Sequence, residues 1–211
     1  MRKLLVAAFA ALALTASASA ASPSITLKAS PLVVTYGAPT TLSGTVTNAS
    51  GNQSVDVLDQ ECATTAMKPL ASVTPTASGA FTYAAHPRLN TAYEAKYKSA
   101  TSTPVTVRVR PVTALRRIAR GKFSVSVSAA QSFAGHTVLF QRYAALSGRW
   151  IAVKTVTLVA GPTVTTPLPS TITSTATFRV RIKSRLKVRA LLTQAQAGTC
   201  YAAARSNIVR S

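Results

Sequence analysis

Acidic residues are the scarcest charged type in this chain of 211 residues: Asp56, Asp59, Glu61 and Glu94 stand against 24 Lys and Arg, for a formal net charge of +20. Cleavage of a glycoside by paired carboxyl groups needs two acids converging on one bond. Three of the four acids lie within DVLDQE, and on a strand Asp56 and Glu61 differ in parity and face opposite sides. The same cluster lacks the glycine turn and bidentate spacing of a calcium loop. Histidine is sparser still, with two residues. His86 beside Pro87 and His136 after Gly135 have no partner at metal-ligand spacing, and neither Cys62 nor Cys200 has a nearby histidine. Zinc and Cys–His nucleophilic chemistry are therefore not expected. The nine glycines form no G-x-S-x-G elbow, phosphate-cradling loop or dinucleotide fingerprint. The expectation is a protein that is not an enzyme and uses no metal or cofactor.

Long apolar runs are missing after the first twenty residues, so no span of the ~20 residues a membrane helix needs is expected. The start of the chain is different. Arg2 and Lys3 precede LLVAAFAALALTA and then Ala18, Ser19 and Ala20, the charged, apolar and small-residue regions of a secretory signal peptide. Cleavage is expected between Ala20 and Ala21, with an exported product; no cysteine follows to accept lipid.

The charge divides the remainder unevenly. Residues 21–111 hold seven Lys/Arg and all four acids, whereas residues 112–211 hold fifteen Lys/Arg and no acid. The second stretch is a polycation, which favours anionic partners such as wall polymers, acidic glycans, nucleic acid or anionic lipid without choosing among them. Only two cysteines are present, Cys62 and Cys200, one in each stretch. In an exported chain they allow a single intramolecular disulfide that would tie the stretches together; the alternative is two unpaired thiols.

Val, Thr, Ile and Tyr recur in short alternating runs broken by Gly, Pro, Asn and Ser, the pattern of an all-β sandwich. Strands are expected at SITLKAS, PLVVT, TTLSGTVTN, SVDVLDQ, PLASVTP, AFTYAA, AYEAKYKS and PVTVRVR, with a turn at residues 48–53. In the second stretch they are expected at GKFSVSVSA, HTVLFQRY, RWIAVKTVTL, TATFRVRI, KVRALLT and CYAAARSNIV, separated by GPT, PLPS and QAQAG. A serine followed by a short apolar strand closes both stretches, at Ser102 and Ser206, which suggests an internal repeat of ~100 residues.

YGAPTTLSGTVT, GAFTYAAHPRLNTAYEAKY and STPVTVRVRP resemble the bacterial immunoglobulin-like repeats of exported and surface proteins, over most of residues 31–111. The resemblance implies fold rather than activity. It puts Tyr93 at the position of a strand tyrosine whose hydroxyl bonds back to the backbone, while Ala95 stands where antibody domains have cysteine and the third strand has no tryptophan. GHTVLFQRY and GRWIAVKTVTL look like the second module that accompanies such repeats. Together these imply two tandem immunoglobulin-like β-sandwiches, residues 21–111 and 112–211, after a signal peptide at 1–20, with a short junction at Val109, Arg110 and Pro111.

The run FRVRIKSRLKVR, residues 178–189, carries a cation at every odd position from Arg179 to Arg189. As one strand it would extend ~40 Å, too long for such a module. A break is expected around Lys183, Ser184 and Arg185, giving two strands in opposite sheets and spreading the charge over opposite outer faces. Phe140, Arg142, Tyr143, Arg149, Trp150 and Phe178 interleave aromatics with cations, as single-stranded nucleic-acid sites do. Strand parity gives no single aromatic platform, however. Phe178 is expected in the core and Trp150 in a core or inter-strand role, and nucleic acid is not the expected partner.

The functional expectation is a secreted, non-enzymatic binding protein held to the anionic cell envelope or another extracellular polyanion. The expected contacts are Arg116, Arg117, Arg120, Lys122, Arg179, Arg181, Lys183, Arg185, Lys187 and Arg189; the bland alternative is that these cations only solvate outer faces. A different class, protein–protein docking through a sheet edge or loop end, stays open. The oligomeric state is not set by the sequence.

Overall fold

The computed structural model describes residues 22–48, 53–164 and 170–211. Ala20, Ala21, the rest of the expected signal segment and most of the turn at 48–53 lie outside them. The first strands are β1 (Ser24–Ile25), β2 (Lys28–Ser30), β3 (Val33–Thr35), β4 (Thr40–Thr47) and β5 (Val55–Glu61). There follow β6 (Lys68–Val73), β7 (Ala80–Ala85), β8 (Thr91–Tyr97), β9 (Ala100–Thr101) and β10 (Val105–Arg110). After Pro111 come β11 (Val112–Ala119), β12 (Lys122–Ala129), β13 (Thr137–Ala144), β14 (Arg149–Thr157) and β15 (Val159–Val164). The chain ends with β16 (Thr171–Arg179), β17 (Lys187–Leu192), the single-turn helix α1 (Gln194–Ala197), β18 (Ala204–Arg205) and β19 (Val209–Arg210). The protein is thus an all-β sandwich fold.

Before Pro111, one sheet sets β4 against β1 and β2 on one side and β7 on the other, while a second runs β3-β10-β8-β5-β6, with β9 also on β8. After it, one sheet runs β11-β12-β16-β15 and the other β14-β13-β17, with β18 and β19 on the free side of β17. No described ladder joins a strand before Pro111 to one after it. The period of two that marks a half-buried strand is clear in β8 and β12, where every second residue is buried. Inward residues of the first sheets, Leu42, Val46, Phe81, Val57, Tyr93, Ala95 and Val107, form one part of the core. Gly44 belongs to it by having no side chain: a Cβ there would strike the Thr26 carbonyl oxygen and come within 2.5 Å of the Phe81 ring. In the second sheets the centre is aromatic, with Phe123 4.9 Å from Phe140 and 5.9 Å from Phe178 between ring centroids. Phe178 packs in the core as expected.

A serine motif recurs. Ser102 donates its N–H to the Ala95 carbonyl (2.9 Å), accepts the Ala95 N–H on Oγ (3.0 Å) and donates Oγ–H to the Thr103 carbonyl. Ser206 treats Ala190 and Asn207 in the same way, at 2.9, 2.8 and 2.7 Å. At both places the final strand is split, β9 from β10 and β18 from β19, and its chain advances one residue more than its partner. That is a β-bulge whose unpaired ladder position the serine hydroxyl fills.

Cys62 and Cys200 form a disulfide with Cα atoms 5.3 Å apart. Asn90 lies next to it. Its N–H donates to the Cys200 carbonyl (2.9 Å), its Nδ2 to the Thr199 carbonyl (2.7 Å), its Oδ1 accepts the Val109 N–H (2.8 Å) and its carbonyl accepts the Cys62 N–H (2.8 Å). Ala202 N–H on the Val109 carbonyl and the Tyr36 hydroxyl on the Ser170 carbonyl add to this contact.

Some expectations change. β9, β11, β15 and α1 were not expected, and the junction shrinks to Pro111, because Val109 and Arg110 belong to β10. Tyr93 is buried on β8 as expected, but its hydroxyl has Thr91 and the Asp59 carboxylate for neighbours, and burial before that charge pushes its pKa up. Phenols that do bond to backbone are Tyr36, on the Ser170 carbonyl, and Tyr201, whose oxygen accepts the Ala130 N–H (3.1 Å).

Candidate polyanion-binding surface

The run 178–189 is two strands in opposite sheets, β16 and β17. The break is longer than expected and begins earlier: β16 ends at Arg179, and residues 180–186 lie outside any strand. Lys122, the first residue of β12, pairs with Arg179, so the partner strand runs out there. Val180 then donates its N–H to the Gly121 carbonyl (2.9 Å), in the β11–β12 turn. Gly121 has φ +67°, and a Cβ on it would lie 2.9 Å from the Val180 oxygen. Glycine therefore lets the segment after β16 lie against the hairpin.

This contact brings distant cations together. Arg120, Gly121, Arg179, Val180, Arg181 and Ile182 line an open concavity of about 690 Å³. Lys122 lies opposite Arg179 in the ladder, and Lys154 reaches across from β14 to donate Nζ–H to the Arg179 carbonyl (3.1 Å). Arg116 and Arg117 stand further along the exposed edge of β11. Lys183 and Arg185 belong to a turn gathered by Ser211, whose Oγ donates to the Lys183 carbonyl and whose carbonyl accepts the Arg185 N–H. All are exposed except Lys122, which is half-buried.

Lys187 and Arg189 lie on the other sheet, alternating with the buried Val188 and Ala190 and so on its outer face. The expectation of cations on opposite faces agrees with this placement. On the first of these faces the Gly121 contact folds Arg181 back beside Arg120, so that part of the charge is gathered in one concavity.

Gln141 and Tyr143 of β13 share the parity of one strand face. Strand register supplies their neighbours. Trp150 pairs with Tyr143, and Arg189 with Gln141. The rings of Tyr143 and Trp150 lie 5.4 Å apart, the Arg189 guanidinium lies over the indole at 4.0 Å, and Lys187 stands 5.9 Å from the Tyr143 ring. Trp150 thus has the inter-strand role. Arg189 Nε donates to Gln141 Oε1 (2.9 Å), and burial, then the neighbouring charge of Arg205, lowers the Arg189 pKa.

Elsewhere His136 and Asp56 serve local structure. His136 Nδ1 donates to the Gln196 carbonyl (2.8 Å). Asp56 accepts the Ser72 hydroxyl (3.1 Å), and burial raises the Asp59 pKa against the pull of Lys68. Among the described residues no three His, Cys, Asp or Glu come together as metal ligands, and no helix is long and apolar enough to cross a membrane. No protein-family model and no curated protein matches the chain.

Proposed function

We propose that this is a secreted, non-enzymatic binding protein of two tandem immunoglobulin-like modules, whose basic second module associates with the anionic cell envelope or another extracellular polyanion. The observation that carries this is the convergence of Arg120, Arg179 and Arg181 on one concavity, in a stretch of a hundred residues without a single acid. An acid-free surface cannot neutralise itself through its own side chains, so its field acts outward on anionic partners. The signal-like start supports export, and the disulfide suits an oxidising compartment. The repeated serine bulge supports two copies of one module.

The test is pull-down of the protein, recovered from a secreting host, on cell-wall fragments with and without their anionic polymers, from about 50 to 500 mM salt. A polycation releasing counterions from a dense polyanion loses affinity steeply with salt. Binding that needs the anionic polymer, falls steeply, and weakens when Arg179 and Arg181 are both changed to Glu supports the proposal. Flat binding, or none, overturns it.

Flat binding would favour a protein partner instead. The observation behind that reading is β14, a nine-residue edge strand with exposed Ile151 and Val153, which could accept another strand.

A further inference from the structure

The outer face of β17 and its neighbours carries an arrangement that solvation does not explain. Register sets Lys187 directly opposite Arg210, and Leu191 opposite Arg205. Arg189, two residues from Leu191 on the same face, is therefore a diagonal neighbour of Arg205. Like charges directly opposed on antiparallel strands are destabilising. Four cations share this patch, and no carboxylate side chain occurs anywhere from residue 112 onward.

Within the patch Arg189 is fixed rather than free. Gln141, only 7% exposed, commits its amide oxygen to Arg189 Nε. The guanidinium carbon lies over the Trp150 indole, 4.0 Å from the ring centroid. A guanidinium held by stacking and by one bond at Nε presents its two terminal nitrogens as a fork, the geometry that receives a carboxylate or phosphate on two bonds. Such a fork has already lost the rotamer freedom that a surface arginine gives up on binding.

We propose that Arg189, seated on Trp150 and Gln141 and flanked by Lys187, Arg205 and Arg210, is a binding site for an oxyanion, phosphate or carboxylate, borne along an anionic polymer. The proposal rests on the polyanion reading above and assigns it a site away from the Arg120 concavity. An arriving oxyanion pairs with the fork and relieves the repulsion among the four cations. The tilted aromatic pair of Tyr143 and Trp150 gives the patch an apolar flank for the polymer's uncharged portion.

The chain has one tryptophan, so its emission reports on this site alone. The experiment titrates the disulfide-bonded protein with polyphosphate in one arm and polygalacturonate in the other, following Trp150 emission at about 50 and 500 mM salt. A saturable, salt-sensitive change in either arm is expected, and the responding arm tells phosphate from carboxylate. Arg189→Lys keeps the charge but loses the fork, and should raise the midpoint about tenfold, the scale of one lost bidentate bond. Arg205→Gln, at an exposed position that leaves Arg189 seated, should weaken binding and lower the salt slope by about one. Melting temperatures of both variants show whether the fold persists. Emission unmoved in both arms while wall fragments still capture the protein overturns this site and leaves the wider proposal standing. A midpoint indifferent to both substitutions overturns it as well. Failure of both capture and emission overturns the two together.

Discussion

Ser102 and Ser206 show how much one hydroxyl can settle. Each lies where a final strand has one residue too many, so the facing alanine N–H, buried in the sheet, would find no carbonyl opposite it. The serine oxygen takes that proton and passes its own to the next carbonyl along. A buried N–H left without a partner costs about 1–3 kcal/mol. Ser206→Ala should therefore lower stability by about that amount, read as a shift in the urea midpoint at unchanged slope. Ser102→Ala should do the same, since Ala95 is as buried as Ala190. A midpoint unmoved in both would mean that the ladder closes without the hydroxyl. Serine before a short apolar strand was visible at both places in the sequence, but its task was not, because a bulge depends on two chains and the sequence displays one at a time.

At the scale of elements, alternation identified most strands, and its failures have particular causes. VTALRRIA became β11 although Arg116, Arg117 and Ile118 break the period of two; a bulge between Arg117 and Ala119 absorbs the break. β16 stops at Arg179 although Val180 and Ile182 continue the alternation, because strand length is set by the partner, and β12 begins at Lys122. The cations of the candidate surface were therefore legible one by one. Their grouping was not, since Arg120 meets Arg181 through the Gly121 contact, and Arg189 meets Trp150 through the register of three strands. Gly44 tests the same dependence on neighbours. It reads as a weak point within TTLSGTVT, yet β4 needs it to admit Phe81 on one side and the Thr26 carbonyl on the other. Gly44→Ala should cost about 1–3 kcal/mol or more by overpacking, seen in denaturant unfolding. Phe81→Leu combined with it should recover part of that loss by removing the ring but not the carbonyl; no recovery at all would place the whole strain on Thr26.

At the scale of the molecule, the chain meets itself across Pro111 through a cluster centred on Cys62, Asn90 and Cys200. The disulfide spans 138 residues, and closing so long a loop restricts the unfolded chain more than the folded one. The loop-entropy model puts that at up to about 5 kcal/mol, and removing a native disulfide typically costs 2–5 kcal/mol. Asn90 opposes a complete loss. Its bonds to Thr199, Cys200 and Val109 remain when the sulfurs are replaced, because they use backbone groups and its own amide. The Cys62→Ser, Cys200→Ser double variant should therefore keep its strands, as seen by far-ultraviolet circular dichroism, while losing about 2–5 kcal/mol in urea unfolding. Adding Asn90→Ala removes the side-chain bonds to Thr199 and Val109 and leaves the junction to its main-chain contacts and the Tyr36–Ser170 and Arg108–Gln194 bonds. In a calorimeter the triple variant should then unfold in two transitions where the parent shows one, since among the described residues the sheets on either side of Pro111 share no ladder. A single transition in the triple variant would mean that packing around Val109, Tyr201 and Ala202 couples the two sides without either brace.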